Sequence, residues 1–338
     1  MMVAVMPTPP AISVLMPVRD AAATLEAAVR SVQAQTWTDW ELVIVDDGSR
    51  DATPALLAYL AAQDARLVAL QQPPTGIAAA LQHGGEACRG DFIARMDADD
   101  VMAPRRLELQ HAFLQAQPSI GLVSCLVSFG GDGAGYAAHV DWINALRTTE
   151  SMALRRFVEA PVAHPSVMFR RRLLAEFGGY REGDFPEDYE LWLRWLEAGV
   201  PFGKVEQELL TWNDPPQRLS RTDPRYSVDS FYAMKLAYLR RWLAAHAGGR
   251  EIWLWGAGRI TRRRFDPIAD LITGFIDVDE SKRGQRRDGR EVRLVDELPP
   301  RDQSLILGGV AARGAREAIA RHLISQGWVE GVDFLLVA

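Results

Sequence analysis

The sequence predicts an α/β protein: a doubly wound, mainly parallel sheet with a second, smaller α/β domain behind it. Over the first hundred residues, short β-branched runs alternate with helical stretches. Strands separated by helices imply a mainly parallel sheet covered on both faces. A second alternation begins after Ala247-Gly248-Gly249-Arg250, which reads as a linker. A length of 338 residues suits two domains at about 150 residues each. The expected boundaries are 11–246 and 250–338.

In chain order, 12–17 reads as a strand and 22–35 as a helix with apolar positions at helical spacing. Residues 41–45 form a second strand, and 53–63 a helix with Pro54 in its first turn, where proline fits because its missing N–H has no partner there anyway. A strand at 66–70, a helix at 77–88 and a strand at 92–96 follow, and 120–129 has the length of one buried strand. The pattern then loosens, with helices expected near 142–157, 187–198 and 226–245 and a loop at 215–224. Behind the linker come a strand at 251–255, a Gly256-Ala257-Gly258 turn and a helix, then strands at 271–276, 304–307 and 334–337 and a helix at 312–326.

Composition removes several function classes. Apolar residues make up 48% and charged residues 24%, with net charge −6, as in ordinary globular chains and unlike nucleic-acid binders, whose affinity needs clustered Lys and Arg. Two cysteines, Cys88 and Cys125, are too few for a disulfide framework or a cysteine zinc site, which fits a reducing cytoplasm. Residues 1–18 lack charge but are interrupted by Pro7, Pro9, Pro10 and Pro17. Neither they nor 109–131 supply the ~20 apolar residues of a membrane span. Arg170–Arg172 and Arg262–Arg264 are short basic clusters that leave attachment to the inner membrane face open.

Parallel sheets bind ligands at the carboxyl ends of their strands, and two acidic clusters fall there. The second strand ends in Asp46-Asp47-Gly48-Ser49 and the fourth in Asp97-Ala98-Asp99-Asp100. An extended Asp97-Ala98-Asp99 would point both carboxylates the same way. Such oxygen ligands suit Mg²⁺ or Mn²⁺ held together with substrate phosphates. Taken alone, Asp-Asp-Gly-Ser is also a common turn, but two clusters at successive ligand-edge positions argue for a site. A third acidic group, Pro186-Glu187-Asp188-Tyr189-Glu190, opens a helix, where acids complement the helix dipole or one acts as a general base.

Four segments in series carry a resemblance: 13–19 (SVLMPVR), 41–49 (ELVIVDDGS), 94–100 (ARMDADD) and 187–193 (EDYELWL). Together they resemble a family 2 glycosyltransferase of the GT-A fold over roughly residues 11–240. The resemblance implies that Pro17, Val18 and Arg19 line the nucleotide and that Asp47 contacts the base. It implies Asp97 toward the ribose and diphosphate, Asp99 on the metal bridging the phosphates, and Asp188 as general base with Glu187 beside it. The implied donor is a nucleotide-sugar, a UDP-sugar before GDP- or dTDP-sugars, and the acceptor a growing surface polysaccharide, a lipid-linked saccharide or a protein, among which the sequence does not choose. A loop histidine that many members carry is missing near 212–220, leaving Arg218 and Arg221 as candidates for the diphosphate. No Gln-X-X-Arg-Trp motif of processive synthases is present, which favours single addition.

His164, ahead of Arg170–Arg172, is read either as an acceptor-side or phosphate contact or as a loop histidine capping a strand. Trp192 and Trp195 share a helix face, core packing being their default and a sugar wall the alternative. The C-terminal segment resembles a small Rossmann-like module, but Thr261 stands where a third fingerprint glycine would be. Nucleotide binding, dimerisation into a homo-oligomer and a bracing role all stay open for it. Two competing functions are weaker: a sugar nucleotidyltransferase would need a glycine-rich basic loop where Pro17-Val18-Arg19-Asp20-Ala21 stands, and a nucleotide-sensing protein would not need intact acidic sites.

Overall fold

The computed structural model describes residues 8–131, 133–215 and 218–338; Pro216 and Gln217 of the expected loop, and Met1–Pro7, lie outside the described residues. Contacts group the chain into two compact units: 1–152, 161–183 and 198–222 in one, and 153–160, 184–197 and 223–338 in the other.

The first unit is built on an eight-stranded sheet: β1 (Ile12–Val18), β2 (Trp40–Asp46), β3 (Leu67–Gln71), β4 (Phe92–Arg95), β5 (Val101–Met102), β6 (Leu122–Gly130), β7 (Met168–Arg170) and β8 (Phe202–Asn213), in the order β3-β2-β1-β4-β7-β6-β8-β5. β1 pairs in parallel with both β2 and β4, with Val18 opposite Asp46 and Leu15 opposite Arg95. The carboxyl ends of β2 and β4 therefore open on one edge, as the sequence requires. Every residue of β1 and β2 is buried, the signature of central strands covered on both faces. β3, at the sheet's end, is fully buried only at Leu67 and half-buried or exposed beyond it.

Helices Leu25–Gln33, Thr53–Gln63 and Ile77–Ala87 lie close to their expected spans. The stretch expected as one helix at 142–157 is two, Ala134–Ala145 and Thr149–Arg155. Thr148 breaks it: its hydroxyl accepts the Ser151 N–H at 3.1 Å while the Ser151 hydroxyl accepts the Thr148 N–H at 3.1 Å. This reciprocal cap starts a new helix. β8, the longest strand, has no counterpart among the expected elements because its middle, Glu206-Gln207-Glu208, is exposed and polar.

The second unit has a six-stranded sheet: β9 (Glu251–Trp255), β10 (Ile272–Asp277), β11 (Arg286–Arg287), β12 (Arg290–Leu294), β13 (Ser304–Gly308) and β14 (Phe334–Leu336), ordered β11-β12-β10-β9-β13-β14. All neighbours are parallel except the β11–β12 hairpin, a Rossmann-like order. Its core includes Leu254, Phe265, Phe275 and Leu305 together with Tyr189 and Leu193 of helix Glu187–Glu197 and Leu236 and Leu239 of helix Val228–His246. In the glycine turn, Asp277 Oδ2 accepts the Ala257 N–H at 2.9 Å and the Lys282 ammonium at 2.8 Å.

Candidate active site

β4 stops at Arg95, and Asp97-Ala98-Asp99-Asp100 forms a turn rather than the extended segment the alternation argument assumed. The turn does more than an extended run could. It brings carboxylate oxygens of Asp97, Asp99 and Asp100 within 4.8 Å of one another. Asp100 is the residue the sequence reading did not single out; it is 0% exposed, and its Oδ2 has no hydrogen-bond partner among the described residues. Its Oδ1 accepts the Asn213 N–H at 2.8 Å, while Asn213 Nδ2 donates to the Asp99 carbonyl at 2.6 Å. The end of β8 thus fixes the acidic turn.

Crowding like charges in a half-dry site raises their proton affinity. Burial, then the Asp97 charge, pushes Asp99 up to about 6. Burial, then Asp97 and Asp99, pushes Asp100 well above the carboxylate range. Arg218 is the nearest counterweight from the loop after β8: its charge lowers Asp99, and its guanidinium sits 4.7 Å from the Tyr136 ring centre and 4.9 Å from that of Trp212. Arg221 is instead an exposed partner of Asp214 at 2.6 Å. Three converging carboxylates, one with an orphaned buried oxygen, fit a hard divalent cation.

At the end of β2, Asp46 Oδ1 accepts the Ser49 N–H at 3.0 Å, closing a turn through Gly48 at φ +71°. A Cβ there would also meet Pro74 Cδ at 2.8 Å, so only glycine fits. Asp47, 4% exposed, holds the 72–76 loop. Its Oδ1 accepts from Gln72 Nε2 at 2.8 Å and the Thr75 N–H at 2.9 Å, and its Oδ2 accepts the Gly76 N–H at 2.9 Å. Arg19 Nη1 stands 3.5 Å from the same Oδ2. Pro17 and Val18 are buried at the end of β1, whereas Arg19 is exposed beside them.

Glu187 and Asp188 open the Glu187–Glu197 helix of the second unit with unequal exposure. Glu187 is 2% exposed and accepts the Tyr226 hydroxyl at 2.6 Å, while Asp188 is half-buried. Glu190, further along, is tied to Arg194 at 2.9 Å and to Tyr238 at 2.5 Å, which makes it a structural acid. Trp192 and Trp195 are 0% exposed and pack edge to face, the core reading. His164 is buried with Nε2 2.8 Å from the Tyr180 hydroxyl, and burial, helped by Arg95, holds its pKa well below the ordinary value.

The sequence profile of glycosyl transferase family 2 matches residues 13–178. EpsE of Bacillus subtilis (strain 168), named as a glycosyltransferase, is 30% identical over 230 residues, covering 65% of this chain and 79% of its own. The chain belongs to glycosyl transferase family 2. The O-antigen biosynthesis glycosyltransferase WbnJ of Escherichia coli is 28% identical over 235 residues, covering 69% of this chain and 89% of its own. Among solved structures, the mannosyltransferase PcManGT from Pyrobaculum calidifontis, in complex with GDP-Man and Mn²⁺, matches with TM-score 0.56 at 21% identity, covering 69% of this chain and 65% of that one. TarS 1–349 of S. aureus in complex with UDP-GlcNAc matches with TM-score 0.54 at 15% identity, covering 69% of this chain and 66% of that one. At such identities the likeness is one of fold, and it makes the first sheet a GT-A sheet. The protein is a glycosyltransferase.

Proposed function

We propose that this family 2 glycosyltransferase is inverting and metal-dependent. It moves a sugar from a nucleotide-sugar donor, a UDP-sugar first, to a hydroxyl of a saccharide or lipid-linked acceptor. The observation that carries this reading is the turn of three carboxylates at the ligand edge of a parallel sheet, with one buried oxygen unpartnered. Asp99 and Asp97, joined by Asp100, hold Mn²⁺ or Mg²⁺. Bound there, the ion would neutralise charge on the departing nucleoside diphosphate. Pro17, Val18 and Arg19 line the nucleotide, and Asp47 Oδ2 meets the base beside Arg19. Asp188 takes the acceptor hydroxyl's proton as that oxygen attacks the anomeric carbon, and Glu187, locked by Tyr226, holds the start of its helix. No covalent enzyme intermediate is needed.

Residues 11–246 form the transferase and 250–338 a Rossmann-like domain in this reading. Relatives named for O-antigen and amylovoran biosynthesis support a role in surface polysaccharide or glycoconjugate synthesis. Among the described residues no helix is long and apolar enough to cross a membrane, which suits action in the cytoplasm, at the inner face where a lipid-linked acceptor is presented.

The test is thermal stabilisation by UDP, GDP, dTDP, CMP and NAD(H), each with and without Mn²⁺. A ligand at 100 times its Kd adds about 2.7 kcal/mol, or roughly 5–11 °C for a unit of 150–250 residues. Stabilisation by one nucleoside diphosphate that requires Mn²⁺ and is lost in Asp99→Ala supports the reading. Stabilisation by NAD(H) alone, without metal, overturns it.

A further inference from the structure

A charged residue ends β4, the strand that leads into the acidic turn, and is used by none of the roles above. Arg95 closes β4 with its side chain 1% exposed. Its main chain is bound inward: the N–H donates to the Val167 carbonyl at 2.9 Å, and its carbonyl accepts from Arg106 Nη2 at 2.8 Å. Its guanidinium turns up to the acidic turn, where Nη1 pairs with Asp97 Oδ1, and its Nε has no hydrogen-bond partner among the described residues. Asp100 and Tyr180 lie within its field, and neutral His164 packs nearby. Arg106, also 0% exposed, adds a second buried cation below, satisfied by Gln110 Oε1 at 3.0 Å and by carbonyls.

Burying a cation costs several kcal/mol, and an apolar side chain of similar volume often replaces a buried ion pair without loss. Packing therefore does not account for an arginine here. What the guanidinium uniquely does is hold one oxygen of Asp97, the least buried pair partner (25% exposed) and a member of the carboxylate cluster.

We propose that Arg95 is a positioning residue for the cation site, acting through Asp97: it fixes the Asp97 carboxylate in the orientation that closes the three-acid cluster. Together with Arg218 it also offsets part of the cluster's negative charge. This rests on the metal-dependent reading above. A group that orients a ligand typically contributes 10–100-fold in metal affinity.

The experiment is an electron paramagnetic resonance titration of Mn²⁺ in the presence of excess UDP or GDP, on wild type, Arg95→Met, Arg95→Lys and Asp97→Asn. Positioning predicts that Arg95→Met weakens Mn²⁺ about tenfold or more and changes the bound-Mn²⁺ spectrum, although the substitution makes the site more negative. It also predicts that Arg95→Met adds little once Asp97 is Asn. A purely electrostatic role predicts tighter Mn²⁺ in Arg95→Met, and a purely structural role predicts unchanged Mn²⁺ affinity with a lower melting temperature; either overturns the proposal. If Arg95→Met does not fold, Arg95→Lys decides, since it keeps the charge but cannot hold a donor where Nη1 meets Asp97 Oδ1: weaker Mn²⁺ supports the proposal and unchanged Mn²⁺ overturns it. Wild type that binds no Mn²⁺ with either nucleotide overturns the metal-dependent function itself, a separate failure.

Discussion

Removing the Asp47 carboxylate is the perturbation whose size follows most directly from the structure. Asp47→Ala leaves the Thr75 and Gly76 N–H groups and the Gln72 amide without their acceptor. An unsatisfied buried donor costs about 1–3 kcal/mol. Thr75 is exposed and Gly76 half-buried, so water replaces part of the loss and the low end applies, about 2–3 kcal/mol in total. At 2–4 °C per kcal/mol the melting temperature falls by roughly 4–12 °C. Asp47→Asn keeps one acceptor oxygen but loses the one shared by Gly76 and Arg19, so about 1 kcal/mol is expected. Differential scanning calorimetry of the ligand-free protein measures both, and limited proteolysis at 72–76 reports whether the loop is released. Asp47→Ala melting within about 1 °C of wild type, with the loop still protected, would mean that Asp47 does not hold it and would refute the reasoning.

Asp188→Asn should lower kcat by about 10²–10⁴ with the donor's Kd unchanged, read by steady-state kinetics alongside calorimetric titration; equal loss in both would remove Asp188 from the base role. Because Asp99 is pushed up to about 6 from the ordinary 3.8 of an aspartate, the metal-free folded protein binds more protons than the unfolded chain between those values. Its stability therefore falls as pH rises through that window, while Mn²⁺ affinity rises through it and keeps rising beyond it as Asp100 gives up its proton, because each ligand must be ionised; melting curves and Mn²⁺ titrations from pH 4.5 to 7.5 check both signs. Tyr226→Phe removes the 2.6 Å bond to buried Glu187 and should cost about 1–3 kcal/mol in denaturant unfolding, the larger part of it from the carboxylate left behind.

The sheet edge was legible because parallel strands announce themselves. β1 and β2 are buried throughout and mostly apolar, and the two acidic clusters follow directly on β2 and on the short run from Phe92 to Met96. The turn at Asp97 was not legible, since an alternation argument presumes that the strand continues, and β4 ends at Arg95. Asp100 was therefore passed over although it is adjacent in sequence. β8 was hidden by its exposed middle, and with it Asn213, the residue that pins the acidic turn. Arg95 did leave a signal: one cation inside the apolar run Phe92-Ile93-Ala94 and Met96, where lysine and arginine are almost never fully buried unless paired.

Asp46-Asp47 and Asp99-Asp100 look alike as text, yet the fold treats the oxygens of Asp47 and Asp100 in opposite ways. Every oxygen of Asp47 accepts from its own loop, so its partners within the fold are in place without a ligand. Asp100 keeps one buried oxygen unpartnered and stands beside two further carboxylates, so ionising it costs the fold stability. A sequence under selection for stability alone would replace such a group with an apolar one, since burying a lone polar atom is unfavourable. In the proposed metal-dependent reading, such an acid on the ligand edge is the one to which a cation's binding energy would return the most, and this asymmetry, more than the count of aspartates, is what favours the end of β4 as the cation site.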